Sequence, residues 1–163
     1  MAMGNTMNQK NSPPLPESVL EALVEKARLA ARHSYSPYSE FRVGAALLLS
    51  NGEVVAGANV ENISFGLTMC AERSALVSAV SRFGPQIRIE AVAVANLNDA
   101  ASPPCGACRQ MLAEFIVPDA PVVFPAEDGM RTMAFSELLP MAFAMKLKQA
   151  GVRRATSRKN DSG

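Results

Sequence analysis

The three cysteines of this chain restrict its fold and chemistry more than any other feature. Cys70 opens a Cys-Ala-Glu-Arg segment, while Cys105 and Cys108 belong to a Pro-Cys-Gly-Ala-Cys segment. Two thiolates from one tight turn and a third from elsewhere give a tetrahedral zinc ion three protein ligands and leave one position open. Glu72 stands two residues after Cys70, where a carboxylate can move protons beside the metal without ligating it. The pattern predicts a catalytic zinc site with Cys70, Cys105 and Cys108 as ligands and Glu72 as its catalytic acid and base.

Other uses of the three cysteines explain the pattern less well. An odd count, without a charged-then-apolar leader, disfavours a secreted disulfide framework. A closed structural zinc site needs a fourth ligand, and the lone His33 lies far upstream, where we expect a helix end or the surface. A redox pair at Cys105 and Cys108 would leave Cys70 and Glu72 without a role. Structural zinc and redox chemistry remain the lower-ranked alternatives.

Length and composition predict one globular domain. The chain has 163 residues, of which 48% are hydrophobic and 19% charged, enough for one core and too few for two ordinary domains. No apolar run approaches the roughly 20 residues of a membrane helix, and the net charge is only +1. We therefore expect a small neutral substrate, no nucleic-acid partner and no membrane partner. The absence of targeting signals and the use of free thiolates favour the cytoplasm.

The two ends of the chain differ from its middle. Residues 1–14 are rich in Asn, Ser, Gln and Pro, which is typical of a disordered leader. Residues 146–163 are basic, and we expect a disordered tail there. The zinc-dependent domain is predicted to span residues 15–145.

Hydrophobic periodicity predicts strands alternating with helices. Apolar residues at helical spacing from Leu20 to Ala31 indicate a first helix, and Asn51-Gly52 indicates a hairpin. This order of elements predicts an α/β fold, with a mixed sheet covered by helices on both faces. The predicted elements after the first helix are strands at 43–49 and 54–60, a helix from Cys70 to Gly84 with Leu76, Val77 and Val80 inward, a strand at 87–95, a helix after Cys105 marked by Met111, Leu112, Phe115 and Ile116, a strand at 121–124 and a last helix or turn at 135–143.

Both cysteine segments fall where a loop becomes a helix. The positive dipole ends of two helices would therefore converge on the sulfurs. Three thiolates leave a bound zinc ion with a net charge of minus one, which weakens it as an activator of water unless neighbours withdraw charge. Arg73 is the candidate to donate hydrogen bonds to the thiolates, although an ordinary exposed helix arginine would also explain it.

Five blocks occur in order between about Tyr35 and Phe143: 37–46 (PYSEFRVGAA), 59–62 (NVEN), 70–73 (CAER), 104–110 (PCGACRQ) and 138–140 (LLP). Together they resemble the small cytidine deaminases of pyrimidine nucleoside salvage. The resemblance implies a three-layer α/β/α fold with about five strands and one zinc ion per subunit. It also implies hydrolytic deamination of cytidine and deoxycytidine to uridine and deoxyuridine, with release of ammonia. In that reaction, water activated by zinc attacks C4 of cytosine while Glu72 shuttles the protons.

The resemblance also implies a nucleoside pocket beside the zinc. Phe41 matches an aromatic residue that packs on the pyrimidine, Asn59 and Glu61 match the pair that bonds the ribose hydroxyl, and the Ala71 backbone matches the amide that meets the base carbonyl. Phe143 matches a residue that reaches a neighbouring subunit's pocket in a homotetramer. By residue type alone, Phe41 would be a core residue and Asn59 a turn residue, while Glu61 suits either a polar ligand or a strand end.

Two positions depart from the family pattern, in the segment that lines the contact between subunits. Ile63 stands where many relatives carry alanine, and Phe65 replaces the more usual tyrosine.

Three other functions compete with this interpretation. A blasticidin-type deaminase that acts on a modified cytosine nucleoside shares the zinc motifs, so turnover of the two substrates separates it. A catalytically silent zinc scaffold has no reason to combine Glu72 with an open coordination position. A polynucleotide-editing deaminase is disfavoured by the near-neutral charge and by the lack of an evident basic, aromatic groove.

Overall fold

The computed structural model describes residues 14–143, which form one five-stranded sheet with helices on both faces. Except for Pro14, the predicted leader lies outside the described residues, as does the predicted tail. Within the described range, no helix is both long and apolar enough to cross a membrane. The elements are α1 Glu17–Ala31, β1 Val43–Leu49, β2 Val54–Ala58, a 3-10 helix at Phe65–Leu67, α2 Ala71–Phe83, β3 Ile89–Asn96, α3 Gly106–Leu112, β4 Pro121–Ala126, β5 Gly129–Ala134 and α4 Phe135–Leu138.

The sheet is mixed, with strand order β2-β1-β3-β4-β5. β3 and β4 pair in parallel, and every other neighbouring pair is antiparallel. Successive side chains of a strand point to opposite faces. Accordingly Ala45 and Leu47 belong to the core that includes α2, while Ala46 packs with α1 on the other face. The predicted α/β class, with a mixed sheet between helix layers, is confirmed.

Two glycines let helix backbones lie directly against the sheet. A Cβ at Gly44 would stand 2.0 Å from the carbonyl oxygen of Ala27 in α1. A Cβ at Gly57 would stand 2.5 Å from the amide nitrogen of Ala75 and 3.0 Å from the carbonyl oxygen of Ala71, both in α2. Since atoms do not approach so closely, any side chain at Gly57 would push α2 off the sheet. The start of α2 is thereby held at a fixed height above β2.

The predicted inward face of α2 is only partly correct. Leu76 is buried, but the next residue, Val77, is 54% exposed. At about 100° per residue, Val77 lies about 200° around the helix from the buried Ala75 and therefore on the opposite side. Small residues four apart fill the buried face instead, which allows the close approach at Gly57: Ala71, Ala75 and Ala79.

The second strand and the third helix are shorter than predicted. β2 ends at Ala58, and Val60 instead makes isolated bridges to Tyr35 and Met69. α3 ends at Leu112, after which the amides of Phe115 and Ile116 both donate to its carbonyl oxygen. Ile116 reaches the core through a parallel bridge to Ile89 rather than through a helical face.

The strand β5 was not placed by the sequence analysis. Its first four residues are exposed, so the period-two pattern of a half-buried strand is weak. A two-residue turn at Glu127 and Asp128 joins it to β4, and Gly129 follows with φ of 120°. The Asp128-Gly129 pair is a hairpin signal that could have located this strand.

Candidate active site

Three cysteine sulfurs meet between the beginnings of α2 and α3. Cys70 is the N-cap residue of α2, Cys105 is the N-cap residue of α3, and Cys108 lies in the first turn of α3. The Sγ atom of Cys105 lies 3.8 Å from that of Cys70 and 3.4 Å from that of Cys108. All three sulfurs lie within 4.8 Å of one another. The two helix starts therefore bring together ligands that are 35 residues apart in sequence.

The donor set fits a zinc ion. Sulfur ligands at about 2.3 Å in a tetrahedron stand about 3.8 Å from one another, which matches the spacing of this cluster. The three cysteines are free of disulfides, and within residues 14–143 no carboxylate or histidine joins the group. His33 is exposed just after α1, as expected from the sequence. Three thiolates would hold zinc and leave its fourth position open, which is typical of a catalytic site.

Arg73 supplies positive charge beside the sulfurs. Its Nη2 atom lies 3.6 Å from Cys70 Sγ and donates to the carbonyl oxygen of Thr68 at 2.8 Å. The hydrogen bond with Cys108 lowers the pKa of the Cys70 thiol, and Arg73 lowers it further against the opposing effect of burial. The same hydrogen bond, together with burial, raises the pKa of Cys108. Arg73 thus favours the thiolate form of Cys70.

Glu72 lies in the first turn of α2, two residues after Cys70 and next to Arg73 in sequence. Only 4% of the residue is exposed, and Ala71 beside it is fully buried. Burial raises the pKa of the Glu72 carboxyl because the charged form loses its hydration. A carboxyl with a raised pKa exchanges protons more readily near neutral pH than an exposed one does.

Asn59 fastens the segment that carries Phe41. Its Nδ2 atom donates to the carbonyl oxygen of Phe41 at 2.8 Å, and its Oδ1 atom accepts from the amide of Val43 at 2.9 Å. The hydroxyl of Ser34 also donates to Oδ1, at 2.5 Å. Phe41 itself is half-buried. Asn59 and Phe41, which the sequence analysis assigned to one pocket, are therefore adjacent.

Glu61 holds the neighbouring loop. It is 6% exposed, and its carboxylate accepts from the backbone amides of Tyr38 at 3.0 Å and Ser39 at 3.2 Å. The hydroxyl of Ser39 donates to its other oxygen. These hydrogen bonds, above all the one from the Ser39 hydroxyl, lower the pKa of Glu61. The carboxylate is ionised at neutral pH and fixes the loop that precedes Phe41.

A ladder of backbone bridges places these loops beside the cysteine cluster. The amide and carbonyl groups of Val60 and Met69 exchange two hydrogen bonds, each 2.9 Å long. On its other side the segment pairs with Tyr35, whose amide donates to the Asn59 carbonyl oxygen at 3.0 Å. Because Met69 directly precedes Cys70, the segment at 59–61 flanks the start of α2.

Phe143 lies apart from this group in the single chain. It is 74% exposed, and its backbone contacts Gln110 of α3. A second exposed apolar group occupies the segment after Glu61: Ile63 at 79%, Phe65 at 70% and Leu67 at 69%. The chain thus presents aromatic and aliphatic side chains to the solvent in two segments, at Phe143 and at residues 63–67.

Several residues that support the site carry no signal of that role in the sequence. Ser34 and Ser39 hold Asn59 and Glu61, Thr68 accepts from Arg73, and Gln110 binds Phe143. The serines lie 25 and 22 residues from their partners, so local periodicity carries no signal for these contacts.

Comparison with known proteins agrees with this geometry. Residues 17–124 match the family model described as the cytidine and deoxycytidylate deaminase zinc-binding region. A cytidine deaminase of Halalkalibacterium halodurans is 46% identical over 126 residues, which are 76% of this chain and 92% of that protein.

Solved structures give the same result. The crystal structure of cytidine deaminase from Burkholderia pseudomallei has a TM-score of 0.68 and 43% identity, and the match covers 76% of this chain and 98% of that one. The crystal structure of cytidine deaminase from Mycobacterium tuberculosis has a TM-score of 0.67 and 38% identity, and the match covers 77% of this chain and 98% of that one. The fold, the sulfur cluster and the sequence matches agree, and this chain belongs to the zinc-dependent cytidine deaminase family.

Proposed function

We propose that this chain catalyses the hydrolytic deamination of cytidine and deoxycytidine, releasing ammonia and forming uridine or deoxyuridine. The observation that carries the proposal is the buried Glu72 beside three thiolates that leave a zinc ion one open position. The identity of 46% to a cytidine deaminase over most of both chains supports the choice of substrate.

Cys70, Cys105 and Cys108 would hold the zinc ion. When bound, zinc is a Lewis acid that makes water a nucleophile near neutral pH. Glu72 takes one proton from the attacking water and delivers it to N3 of cytosine, which makes C4 electrophilic. The water oxygen then bonds to C4.

The second half of the reaction uses the same carboxylate. Glu72 takes the remaining proton of the new hydroxyl and delivers it to the exocyclic amine. The bond between C4 and that nitrogen breaks, ammonia leaves with the bonding electron pair, and the carbonyl of uridine forms. N3 keeps the first proton, so one water molecule is consumed for each ammonia released.

The residues around the cluster are proposed to hold the nucleoside. Phe41 packs on the pyrimidine, Asn59 and Glu61 bond the ribose hydroxyl, and the Ala71 amide meets the base carbonyl. Two observations support these roles. Asn59 is hydrogen-bonded to the backbone of Phe41, and Glu61 fixes the loop that precedes Phe41. Arg73 stabilises the thiolates.

We further propose that the active form is a homotetramer, in which Phe143 reaches a neighbouring subunit's pocket. The exposed side chains of Ile63, Phe65 and Leu67 support this, because contiguous apolar surface of this kind is typical of protein interfaces. We place the enzyme in the cytoplasm, since three thiol ligands persist best in a reducing compartment.

The decisive experiment follows the ultraviolet change of cytidine with purified, zinc-quantified protein. Glu72→Gln keeps the size of the side chain and removes the proton acceptor, so at equal zinc content we expect turnover to fall by at least about a thousandfold. Glu114→Gln, an exposed change beyond the end of α3, is the matched control and should keep normal turnover.

The outcomes separate the competing functions. Near-normal turnover in Glu72→Gln would remove Glu72 from the mechanism. A zinc-loaded wild type that ignores cytidine and turns over a modified cytosine nucleoside would assign the related antibiotic-deaminase activity. Failure on both nucleosides and on single-stranded polynucleotides would leave a silent zinc scaffold.

A further inference from the structure

The side-chain amide of Gln110 forms two hydrogen bonds with the backbone of Phe143. Its Nε2 atom donates to the Phe143 carbonyl oxygen at 2.7 Å, and its Oε1 atom accepts from the Phe143 amide at 3.1 Å. Among side chains, only those of glutamine and asparagine carry a planar amide with a donor and an acceptor side by side. The pairing therefore copies the two-bond exchange between neighbouring strands, although the residues are 33 positions apart.

The residue before Gln110 fastens the other end of the same segment. Arg109 donates from Nη1 to the carbonyl oxygen of Leu138 at 3.0 Å and from Nε to that of Pro104 at 2.7 Å. The chain from Leu138 to Phe143 is thus attached to α3 at both ends. Between these points only short turns follow α4.

The two hydrogen bonds from Gln110 fix the backbone of Phe143 while its ring stays in solvent. The residue is 74% exposed, so the hydrogen bonds cannot be explained by the packing of that ring within the same chain. Fixing the backbone of an exposed aromatic residue lowers the conformational entropy lost when its ring enters a partner's surface. Gln110 lies two residues after Cys108 in α3, so its hydrogen bonds tie the position of Phe143 to the cysteine cluster.

We propose that Gln110 is a positioning residue that presents Phe143 to the nucleoside pocket of a second copy of this chain. The proposal rests on the proposed function, in which Phe143 contributes to binding in the neighbouring subunit. Gln110 acts only through Phe143, touches no substrate itself and sets how well the pocket is closed.

The test uses Gln110→Met in the full-length, zinc-loaded protein. Methionine keeps the length and helix preference of the side chain and removes both hydrogen bonds. We expect KM for cytidine to rise roughly three- to tenfold, since each such bond is worth about that factor or less. The kcat should change less than about twofold, because the contact serves binding rather than the chemical step.

A double-mutant cycle with Phe143→Ala separates positioning from a general loss of structure. If Gln110 acts only through Phe143, adding Gln110→Met to Phe143→Ala should raise KM no further. Glu114→Gln changes an exposed residue four positions after Gln110. It is the matched control and should leave KM unchanged. Additive effects of Gln110→Met and Phe143→Ala, or an unchanged KM in Gln110→Met, would overturn the proposal.

Amide hydrogen exchange gives a readout that does not need activity. The Phe143 amide should exchange faster in Gln110→Met than in the wild type, whereas Glu114→Gln should not alter it. Unchanged exchange at Phe143 would show that the two hydrogen bonds are absent and would overturn the positioning role. A wild type that does not deaminate cytidine would instead reject the proposed function, so the two failures are told apart.

Discussion

The backbone of Gly57 in β2 lies directly against the backbone of Ala75 in α2, so close that a Cβ at Gly57 would stand 2.5 Å from the Ala75 amide nitrogen. Since Cys70 is the N-cap of α2 and Glu72 lies in its first turn, this contact also fixes the height of these two residues above the sheet. Gly57 therefore links packing of the fold to the metal site.

Gly57→Ala should damage both stability and zinc binding. The added methyl group meets backbone atoms, which cannot rotate away, so we expect roughly 3 kcal/mol lower unfolding free energy. Denaturant unfolding and the zinc content after dialysis are the measurements. Ser81→Ala, an exposed change in α2 itself, is the control and should leave both measurements unchanged. Equal stability and zinc content in the wild type and Gly57→Ala would contradict the close contact.

Arg73→Met should weaken zinc binding while leaving the fold intact. The variant removes the positive charge 3.6 Å from Cys70 Sγ, and the thiolates then repel one another with less compensation. Loss of such supporting groups typically costs 10- to 100-fold in metal affinity, in an order-of-magnitude sense. Competition with a chelator of known affinity measures the change. Arg82→Met, in the last turn of the same helix, should bind zinc like the wild type.

Removal of zinc should make the cysteine thiols more reactive, above all at the less buried Cys70 and Cys105, and should lower the melting temperature. The three cysteines are all free, and a ligand that binds only the folded state stabilises it by mass action. Thiol titration before and after chelation, followed by thermal unfolding, provides the test. Cys70→Ser should melt like the chelated protein, and its two remaining thiols should react alike with and without the chelator. Equal thiol reactivity with and without chelator would show that the cluster does not hold the metal.

The stability contributed by Glu61 should vanish in acid. Its pKa is lowered in the folded state, so its contribution is complete above its ordinary pKa and is lost as the pH falls through the lowered value. Glu61→Gln should therefore melt at a lower temperature than the wild type at pH 7, and the difference should narrow as the pH falls through the lowered pKa. Thermal melts from neutral pH down to the lowest pH at which both proteins fold provide the measurement. A difference that stays constant over this whole range would mean that the carboxylate charge is not what holds Tyr38 and Ser39.

Replacement of the exposed apolar side chains should dissociate the proposed tetramer. Phe65→Ser and Ile63→Ser remove surface that is 70% and 79% exposed in the single chain, without touching the buried core. Sedimentation velocity should then show smaller species at concentrations where the wild type is tetrameric. Met130→Ser, an exposed change in β5, is the control. A wild type that sediments as a monomer would reject the tetramer itself.

The elements that sequence reasoning located best are those with strong local signals. Helix α1, the hairpin at Asn51-Gly52 and the end of α2 at Gly84 all carry periodicity or turn chemistry within a few residues. The order of the elements predicts the mixed sheet, whereas the count of about five strands rests on the family resemblance, because the exposed residues of β5 hide its alternation. Val77 was misplaced because the buried face of α2 is made of alanines, whose weak hydrophobicity hides the true direction of the helix.

The candidate site divides in the same way. The cysteine spacing and Glu72 are visible in short motifs, so the cluster could be foreseen. The contacts of Asn59 with Ser34, Glu61 with Ser39 and Gln110 with Phe143 join residues that are 22 to 33 positions apart. The parallel bridge between Tyr35 and Val60 brings the first of these segments together, and such tertiary pairings leave no periodic trace in the sequence.

Two of the three sulfurs belong to N-cap residues, which has a kinetic consequence. Helix ends fray more readily than helix centres, and fraying of the first turn of α2 or α3 would carry Cys70 or Cys105 out of the cluster. The rate at which zinc leaves the protein is then set by the opening of these two turns. Metal dissociation and hydrogen exchange at the starts of α2 and α3 should accordingly respond together to any change that loosens either helix.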